Sequence, residues 1–225
     1  MAEIRPILNN GKLEGLPLML KESTADKLYL AGIQAREEDP RRAMELWDHA
    51  AKVYMKLSNE AAAAKVLEEL GKTCSSLGKY AEGASYLTEA MKLYRKDNDI
   101  ESEARASLIA GQAYSQTGEH ELAISILKRA LNIYRSFDTE KEAETYHRLS
   151  IAYTNSNSLN EAISHLKDAI NIYKEEGDLE KEYSALVELG NLYRRNNLPF
   201  EAIKIYKRSL KLQEEIKESK ARVLA

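Results

Sequence analysis

The sequence predicts an all-α fold, a solenoid of about five stacked helical hairpins, from its composition and from an internal repeat. The chain has 225 residues, of which 44% are hydrophobic and 31% charged, with only 10 glycines and 4 prolines. Ala, Leu, Glu and Lys, which favour helices, are abundant, and this composition argues against a β-sandwich, a barrel or a disordered chain. In addition, small apolar residues recur about every 40 residues, which is typical of stacked repeat units.

The second helix of each predicted hairpin carries a ladder of small and large residues. The first small position is Ala43, Gly83, Ala123, Ala162 and Ala202, and the second, seven residues later, is Ala50, Ala90, Ala130, Ala169 and Ser209. Between them, four residues after the first, stand the large residues Trp47, Leu87, Leu127, Leu166 and Tyr206. A tyrosine four residues after the second small position completes the ladder at Tyr54, Tyr94, Tyr134 and Tyr173, whereas Gln213 breaks it. Spacings of three, four and seven place these residues on one helical face.

The first helix of each hairpin carries a shorter ladder thirteen residues upstream. It consists of Leu30, Leu70, Ala110, Leu149 and Leu189, each followed directly by a small residue: Ala31, Gly71, Gly111, Ser150 and Gly190. Turn sequences at 77–80, 117–120 and 157–160 separate the two ladders. Two helices approach to about 8–10 Å only where the contacting side chains are short. Since one hairpin cannot cover its own apolar face, neighbouring hairpins are expected to stack.

The repeat divides the chain into consecutive segments. The predicted segments are an N-terminal cap or extension at 1–21, a single superhelical domain at 22–216 with units at 22–58, 59–99, 100–138, 139–178 and 179–216, and the end of a polar C-terminal capping helix at 217–225. Residues 1–21 contain the apolar run LPLML at 16–20. We expect them to cap the first hairpin, with two alternatives left open: they lie in a groove, or they contact another protein.

The distribution of charge fits helix ends better than a catalytic site. Polar turns containing Asp precede helices that open with Glu, which is the sign that the helix dipole favours at an N-terminus. The remaining Asp and Glu side chains are expected on helix exteriors beside Lys or Arg, and this argues against a carboxylate isolated in a dry pocket for acid–base catalysis.

Residue types that carry metal, redox or phosphate chemistry are few. Cys74, the only cysteine, excludes an intrachain disulfide and a multi-thiolate zinc site, and its ladder position predicts a buried, structural thiol. The four histidines occur in no metal-binding spacing, and no glycine-rich phosphate loop is present. We therefore expect no enzyme activity, no cofactor and no metal.

Charge and hydropathy also bound the location and the partners. The formal net charge is −3, so no overall positive field attracts nucleic acid. The first twenty residues lack the long apolar run of a signal peptide, and no run approaches eighteen apolar residues. These observations favour a cytoplasmic protein.

The ladder residues carry a resemblance to a known family. The pattern L-G-x-x-Y, a turn, then A-x-x-x-(large)-x-x-A resembles the tetratricopeptide repeat over about 22–216, most plainly in LGKTCSSLGKYAEGASYLTEA, AGQAYSQTGEHELAISILKRA and LGNLYRRNNLPFEAIKIYKRS. The resemblance implies a right-handed α-solenoid. The period of 40 exceeds the family's usual 34. Long, tyrosine-bearing repeats of this kind are similar to those of soluble NSF-attachment proteins, kinesin light chains, Pins-like adaptors and Rap-type regulators.

The resemblance also implies a binding surface, because the first helices of such repeats line a concave groove. Mapped onto this chain, the candidate groove residues are Lys72, Arg105, Gln112, His147, Arg148, Asn155, Asn191, Arg194 and Arg195. Arginine suits carboxylates and asparagine pairs with peptide amides. We expect a non-enzymatic adaptor that binds a peptide segment or helix of another protein. The alternatives are a vesicle-trafficking factor whose residues 16–20 touch a membrane peripherally, and a Rap-type regulator that responds to a peptide. The oligomeric state stays open.

Overall fold

The computed structural model describes the backbone of residues 22–224 and the side chains of residues 22–221. Regular structure in that range is helical throughout, and its ten helices are α1 (Glu22–Ala35), α2 (Pro40–Lys56), α3 (Glu60–Ser76), α4 (Tyr80–Lys96), α5 (Ile100–Thr117), α6 (His120–Tyr134), α7 (Thr139–Asn155), α8 (Leu159–Glu176), α9 (Leu179–Arg195) and α10 (Pro199–Leu224). The predicted all-α fold of helical hairpins is confirmed. The predicted N-terminal cap lies outside the described residues.

The chain divides into two compact units, Met1–Val66 and Leu67–Ala225, and the division falls within α3. In the first unit α1 packs against α2. In the second unit each helix from α4 to α10 packs against the next one along the chain, and α5 also contacts α7. The extents predicted for the domain and its five repeats stay predictions. None of the described helices combines the length and apolar character needed to cross a membrane.

Most turns between the described helices contain one residue in the left-handed conformation. Asn98 has φ 58° and Gly118 has φ 87°, values that Asn and Gly tolerate better than other residues. At the joins between hairpins of the second unit, an aspartate caps the next helix, as where the Asp99 side chain accepts a hydrogen bond from the backbone N–H of Ser102. The predicted acidic caps are thus confirmed.

The small residues of the ladders lie at the helix contacts of the second unit. Ala90, Ala130 and Ala169 are fully buried. A Cβ atom added at Gly71 would lie 2.4 Å from Leu87 Cγ, much closer than any real contact allows. The sequence requirement for short side chains at these positions is therefore confirmed.

The predicted register of the first hairpin was wrong by one residue. Leu30 is 58% exposed, and the small residue at the helix contact is Gly32 rather than Ala31. The Trp47 indole covers Gly32 and donates from Nε1 to the carbonyl oxygen of Tyr29 at 3.1 Å. The connection from Gly32 to Trp47 is therefore 15 residues, one fewer than from Gly71 to Leu87, because α1 ends three residues after its contact glycine and α3 ends five residues after its own.

The expectation that acidic side chains all lie on helix exteriors was also wrong. Glu68, Glu103 and Glu182 are buried, with 2%, 1% and 5% of their surfaces exposed. Arginines from neighbouring helices cover each carboxylate, as Arg129 does for Glu103 and Arg208 does for Glu182. Charge pairing rather than exposure to water compensates these groups, and the linear sequence does not show that pairing.

Candidate functional site

The first helices of successive hairpins lie side by side in the second unit. A pair between Arg105 and Glu68 joins α5 to α3, and a hydrogen bond from Asn155 Nδ2 to Ser115 Oγ (3.1 Å) joins α7 to α5. A hydrogen bond of 2.8 Å between His147 Nε2 and Glu188 Oε2 joins α7 to α9. These helices share one outward surface, the first-helix surface, which consists of α3 from residue 67 together with α5, α7 and α9. All nine candidate groove residues belong to these helices.

A buried carboxylate organises the α3–α5 end of the first-helix surface. Glu68 accepts hydrogen bonds from Arg105 Nε at 2.8 Å, from Arg105 Nη2 at 3.0 Å and from the Tyr94 hydroxyl at 2.8 Å. Lys72 Nζ lies 2.6 Å from Glu68 Oε1 and 3.0 Å from Glu69 Oε1. Two of the candidate residues, Lys72 and Arg105, are therefore engaged by carboxylates of the same chain.

The electrostatics of this cluster favour the ionised carboxylate. Burial disfavours the charge on Glu68, but hydrogen bonds from Arg105, Lys72 and Tyr94 outweigh it and hold the pKa of that carboxyl below its ordinary value. Burial, together with the negative charge of Glu68, raises the pKa of Tyr94 far above its ordinary value. The cluster is therefore a stable ion pair with a neutral tyrosine, and nothing in it is poised to transfer a proton.

A polar cleft lies between α7 and α9. Its volume is about 340 Å³, and it is lined by Glu140, Glu144, His147, Arg148, Tyr173 and Lys181. Arg148 Nη2 stands 3.6 Å from Glu144 Oε1, and Lys181 Nζ stands 2.8 Å from Glu140 Oε1. The His147 ring meets the Tyr173 ring edge-on, with centroids 6.5 Å apart. The structure thus brings candidate residues His147 and Arg148 together at one opening.

A second, smaller cleft lies further along the same two helices. Its volume is about 180 Å³, and it is lined by Ser150, Ile151, Thr154, Glu188, Asn191, Leu192 and Arg195. Because Glu188 lines this cleft and bonds to His147 of the first, the His147–Glu188 pair connects the two. Asn191 Oδ1 accepts the Tyr206 hydroxyl at 2.8 Å, which leaves its Nδ2 group to donate elsewhere.

The other candidate residues are more exposed. Gln112 on α5 and Asn155 on α7 are both exposed, and Asn155 binds Ser115. Arg194 and Arg195, at the end of α9, are exposed and form no ion pair with a described residue. The candidates therefore fall into two groups: Lys72 and Arg105 around Glu68, and the remainder along α5, α7 and α9.

Sequence reasoning missed the tyrosines as partners of the first-helix surface. Tyr94 bonds Glu68 and Tyr173 meets His147, and in both pairs the tyrosine follows its partner by 26 residues. The tyrosine ladder and the repeat period were both visible in the sequence. Their combination could have predicted that the buried hydroxyls point toward the first helices.

Side chains that bind metal ions do not cluster in the described part of the chain. No group of three or more His, Cys, Asp or Glu side chains there is arranged to hold a metal ion. Cys74 is fully buried, and burial raises the pKa of its thiol to about 11, so the thiolate is disfavoured. The predicted burial of Cys74 is therefore confirmed, and its structural role stays a prediction.

Comparison with models of protein families identifies the family to which the repeats belong. Models described as tetratricopeptide repeat match residues 64–97, 101–175 and 185–218, which together cover more than half of the chain. The chain belongs to the tetratricopeptide repeat family. The search of curated proteins found no significant relative.

Several solved structures share this fold. MamA residues 41 to end from Desulfovibrio magneticus RS-1 superposes with a TM-score of 0.69 at 16% identity, covering 85% of this chain and 96% of that chain. The TPR-like repeats of a putative kinesin light chain from Podospora anserina give 0.74 at 17% identity, with coverages of 88% and 98%. A Rap protein complexed with competence and sporulation factor gives 0.63 at 18% identity, with coverages of 87% and 56%. At these identities the likeness shows the fold alone.

Proposed function

We propose that this tetratricopeptide repeat protein is a non-enzymatic adaptor that binds an extended peptide or helix of a partner protein across its first-helix surface. The observation that carries the proposal is the composition of the smaller cleft between α7 and α9, the one of about 180 Å³. Exposed hydrogen-bond donors, Asn191 and Arg195, border an opening that also contains the apolar side chains of Ile151 and Leu192. A polar rim with a small apolar floor suits a peptide, which offers backbone amides and side chains together.

The chemistry of the donors favours a partner segment that carries a carboxylate. Arginine binds carboxylates through two parallel hydrogen bonds, and Arg194 and Arg195 have no competing carboxylate among the described residues. The free Nδ2 group of Asn191 is placed to donate to a peptide carbonyl. Lys72 and Arg105, in contrast, already bind Glu68, so we expect them to contribute less to ligand affinity.

Charge reversal on α7 and α9 tests the proposal. We expect Arg148→Glu combined with Arg194→Glu to lower the recovery of the principal bound proteins at least tenfold in affinity purification with quantitative mass spectrometry. A matched control reverses two exposed lysines on the second helices, Lys92→Glu with Lys174→Glu, and should leave recovery within twofold. Circular dichroism should give the same thermal midpoint for both variants. Unchanged recovery with the α7–α9 variant would count against this surface.

Two alternative functions, a Rap-type peptide sensor and a vesicle-trafficking factor, have less structural support than the adaptor. A Rap-type peptide sensor is suggested by fold similarity to Rap proteins, one of them in complex with competence and sporulation factor. A trafficking role depends on membrane contact by residues 16–20, which lie outside the described residues. Because no described side chain favours either alternative, the adaptor is the function proposed here.

A further inference from the structure

The outer face of α10 exposes apolar side chains that earlier helices bury. Ile203 is 52% exposed and Leu210 is 59% exposed. The repeat-equivalent residues of α4, α6 and α8 are all buried: Ala84, Ile124 and Ile163 for Ile203, and Met91, Leu131 and Ile170 for Leu210. Each of those faces is covered by the next helix of the chain, α5, α7 or α9. The described part of the chain places no helix on the corresponding face of α10.

A second feature of this face recurs at every earlier junction of the second unit. One position on the preceding helix contacts a tyrosine of the helix that covers it. These contacts are Thr88 Oγ1 to the Tyr114 hydroxyl at 2.9 Å, Lys128 Nζ at 5.6 Å from the Tyr153 ring centroid, and Lys167 Nζ at 5.4 Å from the Tyr193 ring centroid. The next member of this series is Lys207, which is exposed on α10. The face therefore carries, at Lys207, the position that contacts a tyrosine of the covering helix at each earlier junction.

The course of α10 shows why the described chain does not cover this face itself. α8 ends at Glu176, and the equivalent position in α10 is residue 216. α10 instead continues to Leu224, roughly 12 Å further at 1.5 Å per residue. The chain thus runs straight past the point at which the earlier second helices stop and the next helix folds back.

The charge of the face differs from that of its earlier equivalents. Lys204, Lys207 and Lys211 are exposed along the first four turns of α10. The position of Lys204 is occupied by serine in α4, α6 and α8. A helix that covers this face therefore meets more positive charge than α5, α7 or α9 does, and carboxylates at its edges would be favoured.

We propose that this terminal face, formed by Ile203, Lys207 and Leu210, docks an amphipathic helix of a separate partner protein. The docked helix runs antiparallel to α10, as α9 runs to α8. It carries apolar side chains against Ile203 and Leu210, a tyrosine over Lys207, and carboxylates toward the flanking lysines. The site is distinct from the first-helix surface, so the adaptor would hold two partners at once.

The chain supplies its own probe for this site. A labelled peptide of residues 178–197 contains α9 and its cap, and α9 already packs on the equivalent face of α8. In fluorescence anisotropy with the full chain, we expect saturable binding that Leu210→Asp weakens at least tenfold. Ile100→Asp is the matched control, because Ile100 is 58% exposed, and it should change the dissociation constant by less than twofold.

Two further measurements separate this proposal from its competitors. A peptide with Arg194→Glu and Arg195→Glu should bind more tightly than the native peptide, and Lys207→Glu with Lys211→Glu in the protein should remove that gain. A photo-crosslinker in place of Tyr193 of the peptide should label α10. Absence of saturable binding, binding insensitive to Leu210→Asp, or crosslinks confined to other helices would each overturn the proposal. A concentration-dependent dimer in sedimentation that Leu210→Asp dissociates would also overturn it, by showing that a second copy occupies the face.

Discussion

The Arg105 guanidinium forms a bidentate pair with the Glu68 carboxylate, with Nε to Oε1 at 2.8 Å and Nη2 to Oε2 at 3.0 Å. The two residues lie 37 positions apart, on the first helices of successive hairpins. Because Glu68 is only 2% exposed, the carboxylate of the pair is shielded from water. Bidentate geometry restricts both distance and orientation. This contact therefore fixes how α5 lies against α3, in addition to the apolar packing of the ladders.

Removing the arginine from this pair should destabilise the second unit. We expect Arg105→Met to lower the free energy of unfolding by about 2–3 kcal/mol, because a buried carboxylate loses its main partner while Lys72 and Tyr94 remain. Urea denaturation followed by circular dichroism measures the change. Lys92→Met, at an exposed position, should change the free energy by less than about 0.5 kcal/mol. The double variant Glu68→Met with Arg105→Met should recover much of the loss, and a single variant as stable as the control would contradict the argument.

The same carboxylate should make stability depend on pH in the acid range. The pKa of Glu68 is held below its ordinary value of 4.5, so the unfolded chain takes up the proton first as the pH falls. Its contribution to stability is complete above about pH 4.5 and is lost as the pH falls from there through the native pKa. In Glu68→Gln this part of the pH dependence should vanish. Denaturation midpoints of both proteins between pH 3 and pH 7 provide the measurement, and parallel curves would refute it.

The close contact at Gly111 predicts sensitivity to a single methyl group. A Cβ atom there would lie 2.5 Å from Leu127 Cγ, so one helix or the leucine must move. We expect Gly111→Ala to lower the free energy of unfolding by about 1–3 kcal/mol, the usual cost of overpacking a core. Adding Leu127→Val should restore part of the loss by making room. Thermal unfolding of the three variants decides the matter, and a more stable Gly111→Ala protein would show that the helices separate freely.

The sequence was sufficient for the fold because the ladders combine two independent constraints. The small residues Ala90, Ala130 and Ala169 indicate close contacts between helices, and their regular spacing indicates that the hairpins stack on one another. The prediction failed in the first hairpin because Gly32 and Trp47 are 15 residues apart, one fewer than Gly71 and Leu87, and a fixed period does not show such a change. Boundaries and register depend on turn length, whereas the fold class depends on the pattern as a whole.

The candidate surface was predicted less completely than the fold. The repeat register identified residues that share the first-helix surface, including Arg148 and Asn191 on its α7–α9 part. It did not show that Lys72 and Arg105 are occupied by Glu68, because that pairing depends on side-chain reach between hairpins. Nor did it show the exposed stripe on α10, since Ile203 and Leu210 continue the apolar pattern of the earlier second helices whether or not a helix covers them.

A stacked histidine in the second unit should add a pH dependence near neutrality. The His165 ring lies between Tyr146 and Tyr153, with centroid distances of 5.8 and 5.3 Å, and its Nδ1 has no hydrogen-bond partner among the described residues. Burial lowers the pKa of His165; Asp168 opposes this effect, and the positive charges of Lys128 and Arg135 reinforce it. The native state therefore resists a proton that the unfolded chain accepts at about pH 6.5.

The contribution of His165 to stability is therefore complete above pH 6.5 and is lost as the pH falls from 6.5 through the lowered native pKa. The free energy of unfolding changes by at most about 1.4 kcal/mol per pH unit for one proton. His165→Ile is the matched test, because Ile126 and Ile205 occupy the equivalent position in neighbouring hairpins. The variant should unfold with a flatter pH profile between 5 and 7 and should be more stable than the native protein at the acid end. Since the other histidines are common to both proteins, the difference between the two profiles isolates His165. Identical profiles would show that the ring accepts its proton within the stack at no cost.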